Sequence, residues 1–139
     1  MAGFYTYKRY AEWLRKDLSV NNDPAFAIRA LKQVVSHIRA IPDDVEFENA
    51  HVEPPTTGDP NWDRVIRAAA EMTYTARFGR HSLSWVVEES EPADWFFPTG
   101  RPSRFAFNLA RTPNAFLKRQ VCLGEGNLRT AQDAEHTWT

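Results

Sequence analysis

The chain has 139 residues, with 17 Lys and Arg against 18 Asp and Glu and a formal net charge of −1. An apolar fraction of 42% excludes wholesale disorder, and the length fits one domain, 1–139, that buries a core without staples. A single cysteine, Cys122, excludes an internal disulfide and a cysteine-rich zinc site, and the apolar stretches are too short and too interrupted by charge to span a membrane. Residues 1–10 carry no apolar leader, so the expected location is the cytoplasm.

The first predicted helix starts at Thr6. Tyr7, Tyr10, Ala11, Leu14 and Leu18 form its apolar face, while Lys8, Arg9, Glu12, Arg15 and Lys16 fill the other. It should end before the turn-forming pair Asn21 and Asn22. Asp23 followed by Pro24 is an N-cap and first-turn signal for a second helix. Ala27, Ile28, Leu31, Val34, Val35, Ile38 and Ile41 make its seam, and Pro42 stops it. The short connection predicts an antiparallel helical hairpin over 6–41. The 24–41 seam is long enough to serve a homodimer instead of the chain's own core.

Residues 43–63 hold seven Asp and Glu and no Lys or Arg. A short helix is expected near 43–50, followed by a loop over 51–60. This acidic linker, 43–60, is the expected hinge between the two halves. Asp59 and Pro60 repeat the cap-then-proline signal and open a third long helix with stripe Trp62, Val65, Ile66, Ala69, Met72 and Ala76. Gly79 is its expected left-handed stop.

The C-terminal part, 60–134, is expected to become irregular and aromatic-rich beyond Gly79. Leu83, Trp85, Val86 and Val87 read as either a strand or a short buried helix. Ser103 caps a predicted helix through Ala110. Thr112 with Pro113 caps another that contains Phe116 and Leu117. Val121, Cys122 and Leu123 read as a short strand, and 127–134 as a last helical turn or two. The fold class is therefore mainly α: a helical hairpin packed on a third long helix, with an irregular C-terminal subregion.

No catalytic motif stands out. His37, His51, His81 and His136 share no metal-ligand spacing, and Glu46, Glu48, His51 and Glu53 read as a solvated acidic loop. Cys122 in an apolar triplet reads as a core residue rather than a nucleophile. Asp43 with Asp44, and Glu88 with Glu89, read as solvated faces. The expectation is no enzyme, no metal and no cofactor.

The strongest signal is electrostatic. From Trp95 to Gly124 there is no acidic residue, while Arg101, Arg104, Arg111, Lys118 and Arg119 supply five cations among Trp95, Phe96, Phe97, Phe105, Phe107 and Phe116. Arg104, Asn108 and Arg111 share one helical face. Arg101, Arg104, Phe107, Arg111, Lys118 and Arg119 are thus the expected partner contacts. An acidic protein surface is the first-choice partner and nucleic acid the second, since the net charge of −1 suits a DNA binder poorly.

Several pieces also carry a resemblance. They are the run Thr57-Gly58-Asp59-Pro60-Asn61-Trp62-Asp63, then Ala69-Ala70-Glu71, Trp85, Trp95-Phe96-Phe97-Pro98, Thr112-Pro113 with Phe116, and Asn127-Leu128-Arg129-Thr130-Ala131. Tyr10-Ala11-Glu12-Trp13-Leu14 and 27–31 join them. Together these resemble a family of small actinobacterial regulator- or antitoxin-like proteins associated with nucleotidyltransferase-type toxins. The resemblance implies a non-enzymatic protein that binds and occludes a toxin. It transfers no functional residue. A small DNA-binding regulator is the alternative.

Overall fold

The computed structural model describes residues 6–79, 83–88, 94–98, 110 and 112–123. They are mainly helical, in the order α1 (Tyr7–Val20), α2 (Pro24–Arg39), α3 (Asp44–Asn49), α4 (Pro60–Phe78), a 3₁₀ turn (Ser84–Val86) and α5 (Asn114–Leu117). The predicted helix over 103–110, apart from Ala110, and that over 127–134 lie outside the described residues.

Local chemistry sets most boundaries. Thr6 Oγ1 accepts the Arg9 N–H at 3.1 Å, Asp23 Oδ1 that of Phe26 at 3.2 Å, and Asp43 Oδ2 that of Glu46 at 2.9 Å. Asp59 Oδ1 accepts from Asn61 at 2.9 Å. Each such cap satisfies an otherwise orphaned amide and is worth about 1 kcal/mol. Gly79 closes α4 with φ +78°, a left-handed geometry that a Cβ disfavours.

Helix α4 is the hub. It touches α1, α2, α5 and the 3₁₀ turn. From Trp62 to Tyr74 every residue except Asp63 and Arg67 is buried. Ala68, Ala69 and Ala70 are fully buried, and their small side chains let other elements come close to the helix backbone. The Tyr7 hydroxyl reaches that backbone, donating to the Ala69 carbonyl at 3.1 Å. Tyr10 donates to the Ala27 carbonyl at 2.7 Å, tying α1 to α2. Ala27, Ile28, Leu31, Val34, Val35 and Ile38 are all buried within the chain. The seam of α2 therefore serves the protein's own core and offers no apolar stripe to a second copy.

Three expectations are corrected and one open choice is decided. Residues 43–60 do not form a free hinge, because three elements hold them. Tyr7 N–H donates to Ala50 O at 3.2 Å, His51 bonds Thr73 on α4, and Trp85 Nε1–H donates to His51 O at 3.0 Å. Of the two alternatives for the stretch around Trp85, residues 84–86 take the short helical one, a 3₁₀ turn. Val121 makes one isolated parallel bridge to Phe96, with Phe96 N–H donating to Gln120 O at 2.8 Å and Cys122 N–H to Phe96 O at 3.0 Å. Pro113, not Thr112, is the N-cap of α5, with no side-chain cap bond; Thr112 instead turns inward to Cys122.

Candidate functional site

The two described cations of the C-terminal basic stretch do not point outward together. Arg119 is only 2% exposed and forms the centre of a buried ionic cluster. Its Nε donates to Glu88 Oε2 at 2.7 Å and its Nη2 to Glu71 Oε1 at 2.6 Å. The same guanidinium donates to the carbonyls of Ala115 at 2.8 Å and Val86 at 2.7 Å. Lys118 pairs with the other oxygen of Glu71, and Arg67 grips Glu88 through Nε and Nη2 at 2.7 and 2.8 Å. Arg64 completes the cluster from α4, donating through Nε to the Arg119 carbonyl at 3.1 Å.

Burial alone would raise the carboxyls of Glu71 and Glu88. The hydrogen bonds and positive charge of Lys118 and Arg119 around Glu71, and of Arg67 and Arg119 around Glu88, outweigh it and hold both below the ordinary carboxylate range. Burial lowers the Arg64 guanidinium. The planar fork of arginine suits this position, because its donors meet four acceptors in fixed directions.

Arg119 is therefore withdrawn from the set of partner contacts, and Lys118 is half-exposed but paired with Glu71, which it shares with Arg119. A carboxylate from the middle of α4 and another just after the 3₁₀ turn reach these cations, which are therefore not a free positive surface. Arg101, Arg104, Phe107 and Arg111 lie outside the described residues. The signal for the cluster was Glu71 itself. A lone carboxylate in the run Ala68-Ala69-Ala70-Glu71-Met72 stands among small and apolar neighbours, and a buried charge needs a partner.

A second polar group lies under α1. The Nδ1 of His51 faces the Phe47 carbonyl at 2.8 Å and its Nε2 faces Thr73 Oγ1 at 2.7 Å. A carbonyl only accepts, so Nδ1 carries the proton and the Thr73 hydroxyl donates to Nε2. With the Thr73 proton committed to Nε2, Tyr7 shares its own hydroxyl proton between the Ala69 carbonyl and Thr73 Oγ1, the latter at 2.9 Å. Burial dominates the imidazole and pushes its pKa down to about 4, with Arg77 adding to the effect against the opposing Phe47 hydrogen bond. His51 was expected in a solvated loop, yet it is 1% exposed and ringed by Tyr7, Phe47 and Tyr74. This histidine–hydroxyl pair resembles a base and nucleophile in distance, but Thr73 is 1% exposed and the pair is sealed from substrate. Cys122 is likewise buried, and burial raises its thiol.

Exposed cations also lie along α1 and α2. Residues 6–41 hold seven Lys and Arg and three Asp and Glu. Asp17 is buried and accepts from Asn21 at 3.0 Å, and Asp23 caps α2 while keeping its charge, so the segment stays net positive. Lys8, Arg15, Lys16, Arg29 and Lys32 are exposed and make no ion pair among the described residues. Trp13 and Phe26 meet edge to face with centroids 5.6 Å apart, and the Arg29 guanidinium lies 5.7 Å from the Phe26 centroid. Lys16 follows Trp13 by three residues and so stands on the same helical face. The result is a half-exposed aromatic pair bordered by unpaired cations.

Among the described residues no group of three or more His, Cys, Asp or Glu is arranged to hold a metal, and no helix is long and apolar enough to cross a membrane. Compared with protein-family models, with curated proteins and with solved structures, the chain matches none.

Proposed function

We propose that this chain is a non-enzymatic binding module that covers an acidic surface of a protein partner in the cytoplasm. The observation that carries the reading is the α1–α2 outer face, where Lys16 and Arg29 border Trp13 and Phe26. Arginine and aromatic side chains are favoured anchors at protein interfaces, and unpaired cations speed encounter with a negative surface. The antitoxin role is the narrower form of the same proposal, with a toxin as the partner. Arg101, Arg104, Phe107 and Arg111 remain proposed contacts on sequence grounds.

The test is the double charge reversal Lys16→Glu with Arg29→Glu. Tagged wild-type protein should capture a partner from nuclease-treated host lysate, and the variant should lose it while keeping its melting temperature. In the antitoxin form the captured protein is an enzyme that binding silences. Unchanged capture by the variant overturns the assignment of this face. Steeply salt-dependent binding of duplex DNA at about 50 mM salt, with no protein captured, favours the DNA-binding alternative instead.

A further inference from the structure

We propose that a cleft between the Pro54 and Pro55 loop, α4 and Trp85 binds an alkylammonium group, either as a free quaternary amine or as a lysine-like side chain. This cleft is separate from the α1–α2 face and independent of the reading above.

Its volume is about 140 Å³, below the roughly 300–1,000 Å³ of pockets that take drug-sized ligands, so it suits one side-chain-sized group. Pro54, Pro55, Ile66 and Trp85 supply apolar wall, and Glu53, Thr56, Asp63 and Arg67 supply the polar part. The walls are held in place from outside. Trp85 Nε1–H is bonded to the His51 carbonyl at 3.0 Å. Asp63 is fixed by Thr56 Oγ1 at 2.6 Å and by the amide and hydroxyl of Thr57, both at 2.8 Å.

The charge balance selects a cation. All three donors to Asp63 are neutral, so its negative charge is uncompensated. Glu53 is exposed and makes no hydrogen bond or ion pair among the described residues. The one cation among the described wall residues, Arg67, has its Nε and Nη2 engaged by Glu88, a carboxylate it shares with Arg119, so the described wall carries two carboxylates against one cation whose donors are turned away. Two unneutralised carboxylates beside an indole and two prolines match an ammonium with an apolar body: the carboxylates meet the charge, and the ring and prolines meet the methyl or methylene groups. An anion would have to displace Glu88 from Arg67 and sit beside Glu53 and Asp63.

The test follows the Trp85 indole N–H signal by ¹H–¹⁵N NMR, assigned with Trp85→Phe. Choline and Nα-acetyl-lysine methylamide are titrated separately, with 3,3-dimethylbutanol as the neutral shape-mimic of choline and acetate as the anion control. The expected result is a saturable shift with one or both cations at millimolar concentration. A stronger response to choline assigns the site to quaternary amines, and a stronger response to the lysine derivative assigns it to a protein side chain. Glu53→Gln, at an exposed position that leaves the fold intact, should weaken binding by about threefold to tenfold. Equal binding of 3,3-dimethylbutanol, a response to acetate alone, no saturable shift with either cation, or unchanged affinity in Glu53→Gln overturns the proposal.

Discussion

Replacing Arg119 by alanine should be among the most damaging single changes in the chain. The side chain is 2% exposed and donates to two carboxylates and two carbonyls, with every heavy-atom distance between 2.6 and 2.8 Å. Alanine leaves Glu71 with Lys118 alone, Glu88 with Arg67 alone, and the carbonyls of Ala115 and Val86 without this donor. Breaking a buried ion pair by removing one partner costs about 3–5 kcal/mol, and each orphaned carbonyl adds roughly 1 kcal/mol or more. Against a total stability of about 5–15 kcal/mol, this is a large share. At about 3 °C per kcal/mol for a domain of this size, the melting temperature should fall by about 10–20 °C. Urea unfolding followed by far-UV circular dichroism measures the loss directly. Arg119→Lys should recover little, because an ammonium cannot present the same fork. Lys118→Ala should cost no more than about 1 kcal/mol, since its pair with Glu71 is half-exposed. An Arg119→Ala protein within 1 kcal/mol of wild type would refute the buried anchor and return Arg119 to the surface.

Two further outcomes concern His51 and Gly79. His51 protonates near 6.5 when unfolded but resists to about 4 when folded, so the unfolded chain takes up the proton first. Its contribution is fully present above pH 6.5, declines as the pH falls toward 4 and levels off below that; at 1.36 kcal/mol per unit the decline is on the order of 3 kcal/mol. His51→Gln should flatten the pH dependence of urea stability in this window, and an unaltered slope would contradict the neutral, buried imidazole. At Gly79 an added Cβ meets nothing within 4 Å, yet φ is +78°. Gly79→Ala should therefore cost roughly 1 kcal/mol through backbone conformation alone, and a stabilised variant would rule out the left-handed cap.

Much of the helical layout was legible because its causes are local. Thr6, Asp23, Asp43 and Asp59 cap helices through amides two or three residues away, and the spacing of Ala27, Ile28, Leu31, Val34, Val35 and Ile38 marks a buried face whatever it packs against. The short range of these interactions makes them visible in a linear sequence. The same locality misled at Thr112, where a cap signal lost to an inward contact with Cys122.

Charge was the part that only tertiary structure decided. A run of cations without local acids looks like an exposed positive surface, yet Glu71 and Glu88 reach Arg119 across 48 and 31 residues of chain. Conversely, 6–41 reads as a mixture of charges along the chain, and only packing set Trp13 against Phe26 with Arg29 beside them. Helix formation depends on neighbours along the chain, whereas the fate of a charge depends on which opposite charge folding brings within about 3 Å, and that partner has no fixed sequence spacing.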